Sequence, residues 1–180
     1  KDQLAFMCYP NFQTYVNIRK IREKFREDPQ RGLNAILTHE IGHRFCPYDL
    51  VTSIILKHNI KKVIEGENLP YNTDTAANLL LNLFADESIN TILERKGDED
   101  ISWAYQQISK ENDNRLWKVY ARSMELSWKK ELLPKNTELD EEETKASEEL
   151  SQLFEDEVFD KSKWNERIKT YSSIMCKFLE

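Results

Sequence analysis

Residues 38 to 49 read THEIGHRFCPYD and hold His39, Glu40 and His43 in the pattern His-Glu-x-x-His. Histidines four apart lie on one face of a helix, about one turn from each other, where both imidazoles can grip one metal ion. A glutamate next to the first histidine stands at the rim of that face. From there it can take a proton from water at the metal without being a ligand itself. Zinc prefers four tetrahedral ligands, and a catalytic site keeps one position for water, whose pKa then falls to roughly 7. The pattern predicts zinc at His39 and His43 with Glu40 as the catalytic base, and Gly42 leaves room beneath the metal. It also demands a third protein ligand.

Three acids are candidates for that ligand. Asp49 follows His43 by six residues, but the tight turn it would need lacks a glycine, since Cys46 and Pro47 stand there. Asp49 reads better as the cap of the next helix. Asp86 and Glu87 lie in NLLLNLFADESINTIL. There Asn82, Asp86 and Asn90 fall at i, i+4 and i+8, one stripe of a helix flanked by Leu79, Leu83 and Ile89. Three polar side chains on an apolar face need partners, and a metal with its hydrogen-bonded surround would supply them. Asp86 is therefore the preferred ligand, with Asn90 or Asn82 bonding a histidine ring or backbone. Glu87 points about 100° away around the helix and is the runner-up.

The elements that must carry these residues are mostly helices. Asp28 caps and Pro29 opens the helix of Leu33, Ile36, Leu37, Glu40, Ile41 and His43, which Pro47 stops. A next helix from Asp49 shows an apolar face of Val51, Ile54, Ile55 and Leu56. A long helix runs from about Thr75 to Arg95 and ends at Gly97. Leu116, Trp117, Tyr120, Met124 and Trp128 repeat at three- and four-residue steps within 113–133, and two more helices are expected at 144–159 and 163–179. Near the start, aromatic and β-branched residues predict one or two short strands, the better one at Tyr15–Ile18. The expected fold is mainly α with a small α+β character: a metal-binding domain over 1–100 and a helical extension over 101–180.

Composition narrows the function classes. The net charge is −6, and residues 135–160 hold eleven acids against two lysines, leaving the remainder slightly basic. No basic stripe marks a nucleic-acid footprint, and no apolar run approaches the roughly 20 residues of a membrane span. Cys8, Cys46 and Cys176 are scattered without a C-x-x-C pair. They read as core thiols in a reducing, cytoplasmic setting rather than a disulfide framework.

The HEIGH helix, a second helix and an acid-bearing third helix resemble the gluzincin clan of zinc metallopeptidases, especially the minigluzincins. The Asn82, Asp86, Asn90 spacing is also similar to metallopeptidase-like domains found beside von Willebrand A modules. The resemblance covers roughly residues 12–96. It implies zinc on His39, His43 and a downstream acid, Glu40 as general base, peptide-bond hydrolysis, and a strand lying antiparallel to the bound peptide, here Tyr15–Ile18. In the clan the third ligand is usually a glutamate with an aspartate four residues on. Glu87 would then be the ligand with Thr91 in the aspartate's place, a departure that favours Asp86. Tyr71, Tyr105 and Arg122 are candidates to stabilise an oxyanion. The expected substrate is a peptide or protein. The acidic run could occupy the cleft of a latent enzyme, and the alternative function is a catalytically silent, zinc-containing peptide- or protein-binding module.

Overall fold

The computed structural model describes residues 4–8, 13–45, 50–67, 70, 72–156, 158 and 160–179. Strands β1 (Ala5–Cys8) and β2 (Gln13–Val16) pair antiparallel, with Phe6 opposite Tyr15 and their rings stacked 5.1 Å apart. Asn17 then turns the chain into α1 (Ile18–Lys24), its side chain accepting from the Lys20 amide at 3.1 Å. The strand expected at Tyr15–Ile18 thus ends at Val16, because a competent N-cap at Asn17 recruits Ile18 into a helix.

Helix α2 (Pro29–Phe45) carries the His-Glu-x-x-His pattern. Its start is the expected one: Asp28 accepts from the Arg31 amide at 2.9 Å, and Pro29 occupies the first turn. Helix α3 (Leu50–Gly66) follows, then α4 (Thr73–Arg95), capped by Asn72 and closed by Gly97 in a left-handed conformation at φ 87°. The stops and caps proposed at Pro47 and Asp49 lie outside the described residues.

Of the face expected for α3, only Leu56 is buried. Val51, Ile54 and Ile55 are exposed, and the buried residues are Leu56, Ile60 and Ile64, at steps of four. That second stripe faces α4 and the last helix, so packing rather than the run of β-branched residues picks the face.

Four more helices complete the described chain: α5 (Glu99–Ser109), α6 (Arg115–Trp128), α7 (Glu141–Gln152) and α8 (Trp164–Met175). Helix α7 begins three residues earlier than expected, because Asp140 and Glu143 form a reciprocal capping box, and it ends at Gln152 rather than reaching 159. Helix α6 packs along α7, and α8 returns to lie against α3 and α4. One buried cluster therefore runs from Ile21 to Leu179, joining Phe84 of α4 to Phe154 and to Tyr171 of α8 at ring-centroid distances of 5.7 and 5.3 Å. Among the described residues no helix is long and apolar enough to cross a membrane.

Candidate metal centre

Helix α2 crosses α4 at very short range. A Cβ added to Gly42 would come within 2.5 Å of Ile89 Cγ2, so only glycine permits this approach. The sequence predicts that Gly42 leaves room beneath a metal; what it makes room for in the structure is Ile89 of α4. The contact brings the His39 and His43 rings over Asp86. Their Nε2 atoms stand 3.1 Å apart, and Asp86 Oδ1 lies 3.5 Å from that of His39 and 3.3 Å from that of His43.

This triangle has the dimensions of a metal site. Three tetrahedral ligands held about 2.0–2.1 Å from a first-row ion stand about 3.3 Å from one another. Asp86 Oδ1 is buried and has no hydrogen-bond partner, although two imidazole nitrogens face it. Its charge is offset by the facing imidazoles, and a metal ion between the three atoms would offset it in the same way. The three residues fit a metal ion, and they are the one such group of His, Cys, Asp and Glu among the described residues.

The electrostatics agree. Burial alone would lower the His39 pKa, but the Asp86 carboxylate outweighs it and holds the imidazolium up to about 9. Burial likewise works against the charge on Asp86, yet His39 and His43 keep its pKa down at about 2. Without a metal, the site retains a proton as its cation. Glu40, buried on the next position of α2, is raised by burial against the pull of both histidines.

Around the triad, the Asn82–Asp86–Asn90 stripe forms hydrogen bonds that orient it. Asn82 donates to Asp86 Oδ2 at 2.8 Å and holds the carboxylate's second oxygen. Asn90, fully buried, places its Oδ1 2.7 Å from His39 Nδ1, which leaves Nε2 to face the triad. Its Nδ2 donates to the Tyr105 hydroxyl at 2.7 Å. Glu87 takes no part: it is turned into the core, where Ser123 donates to it at 2.7 Å. Asp49 and Tyr71 lie outside the described residues. Arg122 bonds Glu125 at 2.7 Å and does not line the cleft.

A cleft of about 470 Å³ opens beside the triad. His39, Glu40, His43 and Asp86 line its polar side, and Ala35, Ile36, Ile101, Ala104 and Ile108 its apolar side. Leu4 and the β1 residues Ala5 and Phe6 form a third wall, so β1 and not the Tyr15–Ile18 segment borders the cleft. None of the described residues of the acidic run 135–160 lines it. The contribution of α5 was not legible in the sequence. Ile101, Ala104 and Ile108 recur at helical spacing and mark an inward face, but spacing does not tell what that face meets.

No protein-family model, no curated protein and no solved structure matches this chain. Its fold class is mainly helical with a short antiparallel pair of strands, and its candidate site is a His–His–Asp group able to hold a metal ion.

Proposed function

We propose that the chain is a zinc-dependent metallopeptidase that hydrolyses peptide bonds at the His39–His43–Asp86 centre. The observation that carries this reading is the convergence of three ligand atoms, two imidazole nitrogens and a buried carboxylate oxygen, on a cleft that also contains Glu40. Two imidazoles and a carboxylate suit zinc, and three protein ligands are the number a catalytic zinc site uses. Zinc held there would supply a Lewis acid that polarises the scissile carbonyl and makes water acidic near neutral pH.

The chain's own residues do the rest. Glu40 accepts the proton of the attacking water and returns it to the departing amine nitrogen. Among the described residues β1 pairs only with β2, so an extended peptide can align on its other edge, with a side chain against the apolar wall of α2 and α5. The likeness of the HEIGH helix and acid-bearing helix to the gluzincin clan supports the same reading.

Metal content by mass spectrometry, on protein purified without chelator or histidine tag, comes first. One zinc per chain is expected, lost in Asp86→Ala. Glu40→Gln is expected to keep the zinc and lower cleavage of a peptide library by about 10²-fold or more. A parent that takes up no zinc even when it is added back would sink the proposal. Zinc bound without cleavage, unaffected by Glu40→Gln, would instead mark a binding module.

A further inference from the structure

We infer that Tyr105 on α5 and Tyr120 on α6 are positioning residues for the metal centre: they anchor the Asn90 amide that selects the metal-binding tautomer of His39. The inference rests on the metal reading above and assigns part of the chain beyond residue 100 to that site.

The hydrogen bonds form one chain from His39 to Tyr120. His39 can offer Nε2 to a metal only if its proton resides on Nδ1, and Nδ1–H then needs an acceptor. Asn90 Oδ1, at 2.7 Å, is that acceptor. With the amide turned over, Nδ2 would face the ring instead and favour the tautomer whose Nε2 carries the proton. Which way the amide points is thus decided by its other end. Asn90 is fully buried, so Nδ2 needs a protein acceptor, and the Tyr105 hydroxyl receives it at 2.7 Å. The Tyr105 and Tyr120 hydroxyls lie 3.3 Å apart and either can donate; with Tyr105 accepting from Asn90, its own proton has the buried Tyr120 hydroxyl as acceptor.

The tyrosine is held where it must act. Its ring stacks on Trp117 at 5.8 Å with an interplanar angle of 7°, and meets Trp128 edge-on at 5.9 Å. Both tryptophans are themselves tied: Trp117 Nε1 donates to Ser109 Oγ at 3.1 Å, and Trp128 Nε1 to Thr91 Oγ1 at 3.0 Å. The Tyr105 hydroxyl, engaged by Asn90 and Tyr120, is a support for His39 rather than a free donor to an oxyanion.

The test is zinc affinity of the full chain, measured by competition with a chromophoric chelator. Parent, Tyr105→Phe and Tyr120→Phe are compared, with Tyr105→Phe repeated in an Asn90→Asp background. Tyr105→Phe should weaken zinc binding about tenfold, within the range for outer hydrogen-bond partners of metal ligands. Tyr120→Phe should weaken it about threefold by the same route. An aspartate offers an oxygen whichever way it turns, so with Asn90→Asp the Tyr105→Phe change should matter by no more than about twofold. A parent that binds zinc with Tyr105→Phe unchanged overturns the inference, as does an equal loss in both backgrounds, which a merely structural hydroxyl would produce. Should Tyr105→Phe fail to fold by thermal melting, Tyr120→Phe decides, and its unchanged affinity overturns the inference. A parent that binds no zinc removes the metal reading and the inference with it.

Discussion

Asp86 and Glu87 are neighbours on α4, and the turn of about 100° between them sends one to the histidines and the other into the core. Asp86 is held ionised by the two imidazoles, whereas burial pushes Glu87 up to about 8 against the opposing pull of the Ser123 and Tyr171 hydroxyls. The folded protein therefore keeps a proton on Glu87 that an unfolded chain releases near 4.5. Its raised pKa makes the associated stability complete below about pH 4.5 and lost as pH rises towards 8, at up to about 1.4 kcal/mol per pH unit. Glu87→Gln keeps a neutral partner for Ser123 and removes this dependence. Thermal melts at pH 5 and pH 8 should show the parent losing stability over that interval relative to Glu87→Gln; parallel curves would refute the assignment. The i, i+4, i+8 stripe made Asp86 and Asn90 legible in the sequence, since helix geometry alone puts them on one line.

Helix α2 can present its histidines to Asp86 only because Gly42 lets it approach α4. Alanine in a helix is ordinarily about 1 kcal/mol better than glycine. At Gly42 a Cβ would instead lie 2.5 Å from Ile89 Cγ2, and Ile89 is buried. Gly42→Ala should destabilise the protein by about 1–3 kcal/mol, the range for overpacking, and weaken zinc binding. Adding Ile89→Ala should recover part of both, as urea unfolding and chelator competition would read. A Gly42→Ala variant more stable than the parent would mean that the helices do not meet there. The strand and the second helix show where local signals run out. Asn17 was an available cap that ended β2, and on α3 two apolar stripes competed. The one formed by Leu56, Ile60 and Ile64 won because α4 and α8 cover it.

The chain as a whole is knit across residue 100. Phe84 packs on Phe154 and Tyr171, and Arg115 bonds Asp140, Glu142 and Glu143, fastening α6 to the start of α7. Much of the acidic run's negative charge is thus spent on capping and ion pairs rather than on the cleft. Truncation after Pro134 removes Leu150, Phe154, Ile168 and Tyr171, all buried to 1% exposure or less. Losing one such aromatic alone costs about 3–5 kcal/mol, a large part of the stability of a typical domain. The truncated chain should show no cooperative thermal transition and no zinc binding; a folded truncation with raised peptidase activity would revive the latent-enzyme reading.

Helical period, capping residues and the His-Glu-x-x-His spacing are local properties, encoded within one or two turns of chain. They sufficed to predict a mainly helical fold, the start of α2, and the four residues His39, Glu40, His43 and Asp86 as one constellation. The identity of the cleft walls, the buried face of α3 and the Tyr105–Asn90 support of His39 depend on contacts between residues far apart in sequence. Spacing can show that Ile101 and Ala104 point inward, or that Tyr105 is available. Only the packing of α5 against α2 and α4 decides that they meet the metal centre, because a helix carries its apolar face wherever the rest of the core leaves room.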